Sequence, residues 1–195
     1  MLIPYVVEND GGRERSYDLW SRLMSDRIVF LSGTIEETQC ALAIAQLLYL
    51  ESVDSEKPIN LYVMSFGGSV LSGNALIDTM RFLKCKVNTI CLGYCMSMGA
   101  MILAAGTGTR SALPESRIMI HELSSGNSRS SATDLEISMK ETLYLKDRLN
   151  DMLATFTKQP LEVIQKEMVR DKYMSAEEAK DFGIIDEVIN PRETK

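Results

Sequence analysis

The stretch Ile59-Asn60-Leu61-Tyr62-Val63-Met64-Ser65-Phe66-Gly67-Gly68-Ser69 decides the fold class. Ile59 to Met64 is a short apolar run of the kind that forms a buried strand. Phe66-Gly67-Gly68-Ser69 is a tight turn, and a helix follows through Ala75, Leu76, Met80 and Leu83. The same order recurs on either side. Upstream, Ile28 to Leu31 reads as a strand, and the Thr34/Glu37 spacing of a capping box predicts the start of a helix. That helix carries Ala41, Ile44, Ala45, Leu47 and Leu48 on a broad apolar face. Downstream, Val87 to Leu92 reads as a strand broken at Gly93, and an Ala/Met-rich helix runs from about Ser97 to Ala105. Strands alternating with helices predict an α/β fold.

Further out, Arg117 to His121 is another strand, followed by the polar segment Ser124 to Ser131, which reads as a loop. Thr133 with Glu136 opens a long helix that lasts to about Thr157. Its apolar positions include Leu135, Met139, Leu143, Leu149, Met152, Leu153 and Phe156. At ~1.5 Å per residue such a helix is on the order of 40 Å long. Part of its stripe is therefore expected to project as a subunit interface, the alternative being a helix laid across its own core. Pro160 starts a short helix, Ser175 with Glu178 caps the next, Gly183 stops it, and Ile184 to Ile189 is a last strand. The end up to about residue 16 reads as irregular because of Pro4 and Asn9-Asp10-Gly11-Gly12. Its apolar Leu2, Ile3, Tyr5, Val6 and Val7 predict a contact, with the core or with a partner. No repeat or linker divides the chain, so residues 1–195 are expected to form one domain.

Composition narrows the function. With 45% apolar and 25% charged residues, the 195-residue chain suits a folded globular core. A net charge of −6 without a dense basic stretch argues against nucleic-acid binding. One histidine excludes multi-histidine metal sites, and no metal or cofactor is expected. Cys40, Cys85, Cys91 and Cys95 form no C-x-x-C pair and read as buried free thiols. No apolar run is long enough to predict a membrane helix, and no secretory signal is read at the N-terminus, so the expected location is the cytoplasm.

Two strand–turn–helix junctions carry the chemistry: the turn at Gly67-Gly68 and Gly93-Tyr94-Cys95-Met96-Ser97-Met98-Gly99-Ala100. Helix starts present free N–H groups and a positive dipole end, which suit an anion or a developing oxyanion. Neither carries a nucleotide fingerprint. Ser97 half matches the nucleophile elbow G-x-S-x-G, with Gly99 present but Cys95 in the first glycine's place. The alternative is a serine that caps its helix. An activated serine needs a base, and only His121 can supply imidazole. An orienting carboxylate has several candidates, Asp134, Asp171, Asp181 and Asp186. Glu122 is adjacent to the histidine and should point the other way.

The chain resembles the proteolytic subunit of the caseinolytic (Clp) protease over nearly its whole length. The resemblance rests on Asp26 to Leu31, Ser65 to Val70, Ser97-Met98-Gly99-Ala100, Ala112-Leu113-Pro114, Ser116 to His121, Ala132-Thr133-Asp134, Arg170-Asp171, Met174 to Ala179 and Phe182 to Asp186. It implies a crotonase-like α/β spiral of ββα units with a projecting handle, formed by a strand and helix over residues 124–157. It implies Ser97 as nucleophile, His121 as general base, Asp171 as orienting acid and the Gly68 and Met98 N–H groups as oxyanion hole. Substrate peptide would pair near Ser69, Val70, Ser124, Ser125 and Gly126. Residues 1–16 would be an axial loop. Leu48, Tyr62 and Phe82 would line docking pockets for an AAA+ Clp unfoldase ATPase. Two stacked heptamers would enclose the chamber in which unfolded proteins are cleaved.

Some positions depart from the family's pattern. Met64 and Phe66 stand where Asn and Pro are usual, Tyr94-Cys95-Met96 where Gln-Ala-Ala is usual, and Glu122-Leu123 where Gln-Pro is usual. The resemblance therefore implies a competent but divergent serine endopeptidase subunit, in rings of one chain or mixed with a paralogous subunit; the alternative is a catalytically weak or silent structural subunit of a mixed ring. A crotonase-fold acyl-CoA hydratase or isomerase is the reading from another class. It would use carboxylates and need neither Ser97 nor His121.

Overall fold

The computed structural model describes residues 4–11, 13–124 and 131–190. A hairpin of β1 (Tyr5–Asp10) and β2 (Arg13–Asp18) leads through α1 (Leu19–Ser25) into β3 (Ile28–Ile35) and α2 (Glu37–Val53). Two further strand–helix units follow, β4 (Ile59–Gly68) with α3 (Val70–Phe82) and β5 (Val87–Met96) with α4 (Met98–Ala104). The short strands β6 (Arg110–Ala112) and β7 (Arg117–Ile120) precede the long α5 (Ala132–Thr157). Then come α6 (Leu161–Glu167), β8 (Lys172–Ser175), α7 (Ala176–Phe182) and β9 (Glu187–Val188).

Strands β3-β4-β5-β6-β9 run parallel in a seven-stranded sheet, with β7 parallel to β5 and β8 antiparallel to β7. Alternation sorts β4 by face. Ile59, Leu61, Val63 and Ser65 are buried, while Tyr62, Met64 and Phe66 face outward. The buried face meets helix residues such as Leu76, Met80, Ile102 and Leu103 in one core cluster. The expected α/β class is the one observed.

The boundaries differ instructively. Gly93 does not end its strand. Its positive φ of 73° kinks β5 so that Thr89–Cys91 pair with β6 while Tyr94–Met96 pair with β7. The expected irregular N-terminal end is a paired hairpin with Asp10 opposite Arg13. Thr34 lies inside β3, and the N-cap of α2 falls two residues later at Glu36, which makes no side-chain cap. The parallel ladder with β4 outcompetes the local capping signal there. At α5 the cap is Ser131, whose Oγ accepts from Asp134 N at 3.2 Å, in place of the Thr133/Glu136 pair. The last strand shrinks to two residues, because Ile184 and Ile185 are buried in the core. The capping box of Ser175 and Glu178 and the left-handed stop at Gly183 are as expected.

Helix α5 divides by environment. Leu135, Ile137, Met139, Leu143 and Tyr144 are exposed, whereas Leu149 and Leu153 are buried in the core. Leu149 is thus a core residue and not part of the exposed stripe expected from the sequence. All four cysteines are free and buried. Among the described residues no helix is long and apolar enough to cross a membrane.

Candidate active site

Ser97 sits between the end of β5 and the first turn of α4, at φ 53° and ψ −124°. An L-residue in that region is strained. The conformation is held from both sides: Ser97 N donates to Met119 O of β7 at 2.8 Å, and Ser97 O accepts from Ala100 N at 3.0 Å. The helix-cap alternative fails, since the hydroxyl makes no cap bond. Ser97 Oγ instead lies 2.8 Å from His121 Nε2.

His121 follows directly on β7, whose parallel pairing with β5 brings it beside the serine. The antiparallel register Ile120 opposite Lys172 places Asp171 next to the ring's far side. Asp171 Oδ1 is 3.9 Å from His121 Nδ1, beyond hydrogen-bond length. The other carboxylates are placed elsewhere. Ser131 Oγ donates to Asp134 Oδ2 at 2.6 Å, Asp181 lies on α7, and Asp186 is gripped by Arg110. Glu122 pairs with Lys146 of α5 and holds that ammonium above its ordinary range.

The glycine turn packs against this serine. Gly67 and Gly68 have φ of 101° and 151°. A Cβ on Gly67 would lie 2.6 Å from Ser97 Cβ, and one on Gly68 would lie 2.3 Å from Ile35 O. Only glycine fits at both. Gly99 likewise lets α4 approach β4, because a Cβ there would be 2.9 Å from Ser65 O. Ser65 Oγ donates to Gly33 O and accepts from Gly67 N at 3.0 Å, which ties the turn to β3.

Gly68, Ser69, Val70, Ser97, Met98 and His121 line a cavity of about 260 Å³, and Ser124 stands at its edge. Deeper walls are apolar, from Met101, Ile120, Leu149 and Met168. Ser69 also caps α3, accepting from Ser72 N at 3.2 Å. Ser125 and Gly126 lie outside the described residues. Leu48 and Phe82 are exposed. Tyr62 is half-buried and stacks on Phe30, which with Trp20 lines a separate groove of about 540 Å³.

Several contacts near the site have no signature in the sequence. The rings of Phe66 and Tyr94 stack with centroids 4.1 Å apart. Arg110 anchors the far end of α4 through Ala104 O at 3.3 Å, while also bonding Phe156 O and Gly183 O. The Arg110 guanidinium keeps the Asp186 carboxyl below the ordinary carboxylate range. Burial pushes the Cys95 thiol well up, so that it is an inert neighbour of Ser97.

A serine hydroxyl within hydrogen-bond reach of an imidazole, at a helix start and on the rim of an apolar cavity, has the geometry for acyl transfer. The mostly parallel sheet, with seven helices among the described residues, is the ClpP/crotonase-like α/β architecture that the resemblance implied. The model of the Clp protease family matches residues 11–192, and the chain belongs to the Clp protease family, a family of peptidases.

Proposed function

We propose that this chain is a serine endopeptidase, the proteolytic subunit of an ATP-dependent Clp protease that cleaves unfolded polypeptides. The observation that carries the reading is the 2.8 Å separation of Ser97 Oγ and His121 Nε2. His121 takes the hydroxyl proton as Oγ attacks the scissile carbonyl carbon. The oxygen's new charge meets the Gly68 and Met98 N–H groups, the latter among the amides that a helix cannot satisfy internally. The imidazolium then gives its proton to the leaving amine. Water, activated by the same ring, releases the acyl group. Asp171 orients the imidazole after a shift of about 1 Å toward the ring. Substrate lies extended beside Ser69, Val70 and Ser124, with Ser125 and Gly126 continuing that edge, and one apolar side chain enters the cavity.

In this reading the subunit works in two stacked heptameric rings. An AAA+ Clp unfoldase docks at Leu48, Tyr62 and Phe82, and residues 1–16 act as the axial loop. The exposed apolar part of α5 supports association, because so many large side chains in water favour a covering surface. A second reading, a silent structural subunit in a ring mixed with a paralogue, is favoured by the 3.9 Å gap between Asp171 and His121. A fluorophosphonate probe with peptide mapping separates the two. Labelling at Ser97 that disappears in Ser97→Ala, together with peptide cleavage, supports the protease. An unlabelled Ser97 in a particle whose paralogue is labelled supports the silent subunit.

A further inference from the structure

An aromatic contact spans the two junctions. Phe66 immediately precedes the double glycine, and Tyr94 lies on the arm of β5 between the Gly93 kink and Ser97. Their rings stack with centroids 4.1 Å apart and planes 23° apart. The double glycine needs such support, since glycine has the widest choice of backbone conformations. Hydrogen bonds already hold the turn. Gly67 N donates to Ser65 Oγ at 3.0 Å, and Ser69 N donates to Ile35 O at 2.7 Å. Both tie it to β4 itself or to β3. Toward β5 the ladder is irregular, because the register slips between Val63 and Ser65. The β3 side slips as well, between Ser32 and Thr34, so the pairing is irregular on both sides of β4 just before the turn. The stack stands at that place, and neither ring lines the cavity.

We infer that Phe66 and Tyr94 are a positioning pair that sets the separation between the glycine turn and Ser97, and through it the turnover rate. This inference rests on the peptidase reading. Neither ring is among the residues that line the cavity, so loss of the pair lowers kcat and leaves KM nearly unchanged. One aromatic pair permits a loss of about threefold to tenfold.

The test measures kcat and KM for a short fluorogenic peptide on the full-length assembled particle, with sedimentation run alongside. Phe66→Leu and Tyr94→Leu keep apolar bulk and remove one ring. Each is expected to lower kcat by about threefold to tenfold with KM within about twofold of wild type. The double variant should be no worse than the poorer single one, because the two act as a unit. Phe66→Tyr, which keeps a ring, should retain the wild-type kcat. Unchanged kcat in Phe66→Leu overturns the inference. So does a Phe66→Tyr variant as slow as Phe66→Leu, a change confined to KM, or a loss that follows dissociation of the particle. A wild-type particle that is never labelled at Ser97 overturns the peptidase reading and this inference with it. A labelled wild type with an unaffected Phe66→Leu variant overturns only the inference.

Discussion

The turn at Gly67-Gly68 and the turn at Ser97 solve one backbone problem in two ways. Both join a parallel strand to a helix, and both force φ to positive values. At the first turn no side chain fits, and glycine meets the geometry without strain. At the second turn a serine holds φ 53° and ψ −124°, where glycine would be easier. A strained residue persists only when its surroundings over-determine it. Here Met119 O, the start of α4 and the His121 ring all bear on Ser97. The glycine turn offers backbone alone, and the serine turn keeps a side chain at an energetic cost.

The contrast can be broken in order of effect. Removing the hydroxyl's partner by His121→Ala should cut peptide turnover by roughly a thousandfold or more, measured as kcat/KM with folding checked by circular dichroism. A variant that keeps half its activity would show that the serine turn does not depend on its side-chain partner. Gly68→Ala should destabilise the protein by about 3 kcal/mol in urea unfolding, because the new methyl meets the Ile35 backbone and φ stays positive. Wild-type stability in that variant would remove the steric argument for the first turn. Ser97→Gly and Ser97→Ala both lose the hydroxyl, yet the glycine variant should be more stable than the alanine one by about 1 kcal/mol. The reverse order would mean that no strain resides at position 97.

The smallest effect concerns the far clamp of α4. Arg110 holds the Asp186 carboxyl below the ordinary carboxylate range. A carboxyl lowered in the folded state adds stability above its unfolded pKa and loses it as pH falls through the folded value. Asp186→Asn should therefore cost about 0.5 kcal/mol at neutral pH, a small figure because the carboxyl is nearly half exposed and screened. The gap to wild type should close in acid, once both forms are uncharged. A constant gap across pH would assign the loss to packing and not to the charge.

Local signals in the sequence were legible where nothing distant competed. Ser175 and Glu178 form a reciprocal cap because both partners lie within one turn. Thr34 and Glu37 have the same spacing, yet Thr34 is drawn into β3 by its pairing with β4. Gly93 reads as a stop in isolation, and only the presence of both β6 and β7 makes it a bend. The strands β6 and β8 are too short to announce themselves, and their partners lie far along the chain. Asn9-Asp10-Gly11-Gly12, which with Pro4 reads as irregular chain, lies at the turn end of the β1–β2 hairpin. At the site, Ser97 and His121 were identifiable by residue type, whereas the choice of Asp171 among four carboxylates came from the resemblance. The geometry adds the 3.9 Å approach, which depends on the β7–β8 register. The stack of Phe66 on Tyr94 stayed hidden because only the parallel register brings the two together.

Arg110 has a consequence for the order of events during synthesis. The groups that hold it, Phe156 O, Gly183 O and the Asp186 carboxylate, all come from the last quarter of the chain. Translation delivers a chain from its N-terminus. The ribosome therefore releases Ser97 and the helix behind it well before the segment that fastens that helix, and His121 emerges before Asp171. On the proposed peptidase reading, the orienting carboxylate is thus the last of the three side chains to be delivered, together with the segment that fastens α4.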